Sequence, residues 1–114
     1  MRRLCAMLLF LSFAIACNKE VTDPPPPETN RVIAAANNQF LPPNAPVRVG
    51  GTITWEFQGV PHSVIFESRP GAPDNIQERL SNTSEPRIFG AAGVYTYACD
   101  EHPTMTGIIT VIEP

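Results

Sequence analysis

The stretch TITWEF, Thr52–Phe57, decides the fold class. Ile53, Trp55 and Phe57 fall on one face of an extended chain, and Thr52, Thr54 and Glu56 fall on the other. Side chains of a strand alternate between faces, so this period of two reads as a half-buried strand with an aromatic side turned to a core.

The same pattern continues on both sides. Upstream, PVRV (Pro46–Val49) turns Val47 and Val49 inward and Arg48 outward, and Gly50-Gly51 makes the turn into the aromatic strand. RVIAAA (Arg31–Ala36) is expected to be a first strand. Downstream, SVIFE (Ser63–Glu67) is a further strand, GVYTYAC (Gly93–Cys99) places Tyr95, Tyr97 and Cys99 on one face, and TGIITVI (Thr106–Ile112) is rich in β-branched residues. One segment reads as a helix: PDNIQERLSN (Pro73–Asn82), with Ile76 and Leu80 four apart and Asp74 as its cap. About seven to eight short strands with glycine and proline between them predict an all-β, antiparallel sandwich or barrel. There is no heptad, internal repeat or glycine-rich phosphate loop.

The strand ending at Cys99 runs into CDEHPTM (Cys99–Met105). Pro103 opposes a helix there, because it lacks an amide donor and disfavours helical geometry at His102. A tight loop between two strands brings Cys99, His102 and Met105, each three residues from the next, toward one point. His62, in GVPHSVIF, is the other histidine of the chain. Alone, His62 would read as a turn residue and Met105 as a core filler. Together, both histidines, one thiol and one thioether in two loops read as a metal site. One thiolate, two imidazoles and a weak thioether form the blue-copper donor set. Structural zinc would take a nitrogen, oxygen or thiolate in place of methionine. A Cys–His nucleophile is the enzymatic alternative, and it leaves Met105 and the second histidine unused.

The amino-terminal third stands apart. MRRLCAMLLFLSFAIAC (Met1–Cys17) opens with two arginines and an apolar run of 12 residues, Leu4–Ile15, too short to span a bilayer as a helix. Ala14 and Ala16 form an A-x-A-like site before Cys17, so residues 1–16 read as a secretory signal. Small residues leading into Cys17 resemble the lipobox of bacterial lipoproteins, which implies a lipidated Cys17 as new amino terminus. The alternative is ordinary cleavage that leaves a free thiol. Residues 17–30 then form a linker whose four successive prolines favour an extended spacer of about 40 Å, and residues 31–114 form the single domain. Cys5 leaves with the signal and Cys17 is the expected lipid site, so Cys99 is unpaired within the domain. All eleven acidic residues lie beyond residue 16, against six of the eight basic ones, so nucleic acid is excluded as a partner class.

From about Val32 to Ile112 the chain resembles the small cupredoxins of the plastocyanin, amicyanin and pseudoazurin group. NNQFLPPNAPVRVGGTITWEF is similar to that group's early strands, VPHSVIF to its first-ligand segment, and GVYTYACDEHPTMTGIITV to its ligand loop. The resemblance implies a Greek-key β-sandwich holding one copper ion, with His62, Cys99 and His102 as equatorial ligands and Met105 as the axial one. It implies that Ser63 braces the ligand loops and that His102 meets the surface, with Pro42, Pro43, Pro61 and Pro103 as an apolar docking patch. Asp100 and Glu101 depart from the group, and their charge is expected to lower the reduction potential.

The function implied is that of a monomeric one-electron carrier, with no substrate chemistry of its own. It would exchange electrons with a cytochrome, oxidase, reductase or dehydrogenase in the bacterial cell envelope, anchored by lipid on the periplasmic side, at the outer membrane. The alternative is copper storage or delivery by the same ligands.

Overall fold

The computed structural model describes residues 28–114. The signal segment, Cys17 and most of the proline linker lie outside the described residues. Nine strands follow in order: β1 Arg31–Ala34, β2 Phe40–Leu41, β3 Asn44–Arg48, β4 Thr52–Phe57, β5 His62–Phe66, β6 Ile76–Leu80, β7 Thr83–Ile88, β8 Gly93–Ala98 and β9 Thr106–Ile112. They form a four-stranded sheet of order β2-β1-β4-β7 and a five-stranded sheet of order β3-β9-β8-β5-β6. The expected all-β sandwich is the fold found. Most pairings are antiparallel, but β1 runs parallel to β4 and β3 parallel to β9. These two parallel contacts bring the first strands to opposite sheets, and period-two alternation carries no trace of which neighbour a strand will choose.

The alternation of β4 is realised as read: Ile53, Trp55 and Phe57 are buried and the residues between them are not. Trp55 on one sheet meets Phe66 and Tyr97 on the other edge-to-face, at ring-centroid distances of 5.8 and 5.4 Å. Such pairs contribute about 0.5–1.5 kcal/mol each beyond the area they bury. Gly50, at φ +85°, allows the left-handed turn that Gly50-Gly51 was expected to make, and the Gly51 amide closes it on the Arg48 carbonyl at 2.8 Å.

The helix expected over 73–82 is not formed; Ile76–Leu80 is strand β6, at the edge of the five-stranded sheet. A spacing of four satisfies a strand as well as a helix, because both periods return to the same face. Asp74, the expected cap, and its neighbour Asn75 instead lead into this strand. The Asn75 side chain accepts the Phe66 amide at 2.8 Å, and the Arg87 guanidinium donates to the Asp74 and Asn75 carbonyls at 2.8 and 3.2 Å. Between His62↔Leu80 and Val64↔Ile76 the register shifts, so β6 bulges against the strand that begins with His62.

Candidate metal centre

Three loops meet at one end of the sandwich. His62 opens β5 and is fully buried. Its Nε2 lies 2.9 Å from the carbonyl oxygen of Ala35, just beyond β1. A carbonyl can only accept, so Nε2 carries the proton and Nδ1 keeps its lone pair for another partner. That partner is Cys99: His62 Nδ1 is 3.9 Å from its Sγ.

Cys99 follows the last residue of β8 and is 1% exposed. Its amide donates to the Met105 carbonyl at 3.0 Å, and the Met105 amide donates to the His102 carbonyl at 2.8 Å. The first bond extends the β8–β9 ladder by one step beyond Ala98↔Thr106, so Cys99 and Met105 stand opposite each other at the mouth of the hairpin. Opposed residues share a face, and both side chains are buried. The intervening loop returns His102 to the sulfur, with its Nδ1 3.5 Å from Cys99 Sγ. The ligand atoms of His62, Cys99 and His102 all lie within 4.8 Å of one another.

These separations suit a single ion. Metal–nitrogen and metal–sulfur bonds of about 2.0 and 2.3 Å, opened to angles between tetrahedral and trigonal, put nitrogen and sulfur roughly 3.5–3.7 Å apart. The two observed sulfur–nitrogen distances bracket that range. Of the three groups only His102 is half-exposed, so it is the one a partner molecule can reach. The structure brings His62, Cys99 and His102 together, and Met105 is buried opposite Cys99 across the hairpin.

Burial pushes the Cys99 thiol up, but hydrogen bonding, led by the backbone of Ser63 and Glu101, holds the thiol below its ordinary value. Thiolate character is what a metal ligand needs. Ser63, also fully buried, ties the two histidine-bearing loops: its hydroxyl donates to Asp100 Oδ1 at 2.6 Å and accepts the Asp100 amide at 3.1 Å. The Ser63 hydrogen bond, more than Arg79, holds the Asp100 carboxyl below the usual range. Arg79, on β6, lies 3.6 Å from Asp100 and 2.8 Å from Glu101.

Two participants escaped the sequence reading. The Ala35 carbonyl fixes the His62 tautomer from just past β1, a strand whose parallel partner no pattern announced. Arg79 pairs the two loop acids from a segment that read as helix. Of the four prolines expected to form a docking patch, Pro43, Pro61 and Pro103 are exposed and Pro42 is half-buried. Pro61 and Pro103 flank His62 and His102 in the chain.

The class these features define is that of the cupredoxin-fold proteins. No protein-family model matches the chain. It is 31% identical over 87 residues to amicyanin from Paracoccus denitrificans, a match covering 70% of this chain and 63% of amicyanin's length. Among solved structures, a purple cupredoxin from Nitrosopumilus maritimus is 26% identical, with a TM-score of 0.64 over 74% of this chain and all of that one. An oxidised amicyanin variant is 29% identical, with a TM-score of 0.64 over 72% of this chain and 80% of its own. A copper-containing nitrite reductase from Thermus scotoductus is 26% identical, with a TM-score of 0.62 over 77% of this chain and 23% of the reductase.

Proposed function

We propose that this protein is a type 1 copper protein that carries single electrons between redox proteins outside the cytoplasm. The observation that supports it most is His62: a fully buried imidazole whose Nε2 proton is committed to Ala35, leaving Nδ1 facing a buried thiol. A buried polar ring is costly unless its polar atoms are used, and a metal ion uses the remaining one. Thiolate and thioether suit Cu(I) and imidazoles suit Cu(I) and Cu(II) alike, so His62, Cys99 and His102 with Met105 as weak fourth ligand match copper better than zinc. Copper, cycling between Cu(II) and Cu(I), would supply the one-electron chemistry.

The chain's own residues supply the rest. The Ala35 carbonyl and the core around β5 keep His62 from turning, and the two backbone bonds between Cys99, His102 and Met105 hold the loop closed. A rigid donor set moves little when the charge at its centre changes, which keeps the reorganisation cost of transfer small. Half-exposed His102 offers the short route to a partner. The relative similar in sequence is amicyanin, while the nitrite reductase is matched over only 23% of its length, which favours a carrier over an enzyme.

Voltammetry of the copper-loaded full chain tests the reading. A reversible, fast one-electron couple is expected. Slow or irreversible cycling with tight copper retention would contradict it and favour storage or delivery.

A further inference from the structure

Ser63 has one hydroxyl proton and two acceptors within reach: Asp100 Oδ1 at 2.6 Å and Cys99 Sγ at 3.8 Å. A 2.6 Å bond to a carboxylate is short and charge-assisted, while 3.8 Å to sulfur is long. The proton therefore goes to Asp100. The Asp100 amide donates back to the same hydroxyl at 3.1 Å, so the two residues form a closed reciprocal pair across the ligand loops. Arg79 approaches the other carboxylate oxygen, Oδ2, and leaves Oδ1 to Ser63.

We propose that Asp100 is a positioning residue that withholds the Ser63 hydroxyl from the Cys99 sulfur and thereby keeps the reduction potential of the centre low. This rests on the copper reading above. A hydrogen bond donated to a thiolate draws charge from the sulfur and favours the more electron-rich reduced centre, so withholding one favours the oxidised centre. The charge of Asp100 pushes in the same direction, but Arg79 sits against both loop acids and solvent screens a carboxylate this exposed. Proton placement and charge thus make different predictions.

The experiment compares the copper-loaded full chain with Ser63→Ala, Asp100→Asn, Asp100→Ala and the double variant Asp100→Ala/Ser63→Ala. It reads reduction potential, the energy of the thiolate-to-copper absorption band, and melting temperature without metal. Asparagine keeps an oxygen for the Ser63 proton without the charge, so Asp100→Asn shifts the potential less than Asp100→Ala. Asp100→Ala releases the hydroxyl to the sulfur: the potential rises and the band moves to higher energy. Adding Ser63→Ala reverses both, while Ser63→Ala alone moves the potential less than Asp100→Ala. Equal potentials in Asp100→Ala and the double variant would overturn the proposal, because charge alone would then explain the shift. Equal losses of melting temperature with no Ser63-dependent shift in potential would also overturn it, reducing the pair to a loop brace. A parent chain with no thiolate-to-copper band would overturn the copper reading itself. A parent with the band but no Ser63-dependent shift would overturn only the role of Asp100.

Discussion

At the scale of single residues, burial without a partner separates the core from the site. Trp55 Nε1 and the Tyr97 hydroxyl are buried with no hydrogen-bond partner among the described residues, whereas both nitrogens of buried His62 are engaged. Burial lifts the Tyr97 hydroxyl far above the usual tyrosine range. The unfolded chain releases that proton near pH 10 and the folded chain retains it, so the folded state binds more protons and loses stability as pH rises. Above about pH 10 the Tyr97 share of the decline is about 1.4 kcal/mol per pH unit. Alkaline unfolding of Tyr97→Phe should lack that share, and identical slopes in the two proteins would contradict it. The clustering of His62, Cys99 and His102 was legible at this scale because His and Cys are scarce in this chain and their chemistry is narrow. The contribution of Ala35 was not legible, because a carbonyl oxygen is common to every residue and only the fold selects one.

At the scale of elements, the β8–β9 hairpin sets both the core and the donor loop. Gly107 lies opposite Tyr97 in the register, and a Cβ added there would meet the Tyr97 ring and hydroxyl. Gly107→Ala must push the ring aside within a packed core and is expected to cost about 1–3 kcal/mol, read as a lowered denaturation midpoint. An unchanged midpoint would show that the ring has room to move. The hairpin was readable from sequence: alternation in GVYTYAC and TGIITVI fixes two strands, and Pro103 forbids a helix between them. Strand β6 was not readable, since Ile76 and Leu80 fit either period and its true partner is a bulged edge of β5. That misreading hid Arg79, the cation that links both loop acids, so Asp100 and Glu101 looked more isolated than they are.

At the scale of the whole molecule, two sheets close on an aromatic core, and their one shared end collects the loops after β1, before β5 and after β8. The sandwich was legible because alternation and turn residues report it locally. Its parallel contacts, β1 with β4 and β3 with β9, were not, because they depend on long-range choices between similar strands. The convergence of His62 with a loop 37 residues away is the product of that topology, and it carries the functional claim. Adding Cu(II) to the purified full chain and recording its visible absorption tests that claim most directly. An intense thiolate-to-copper charge-transfer band, lost in Cys99→Ser, is the result expected; a chain that binds Cu(II) and stays colourless would contradict it.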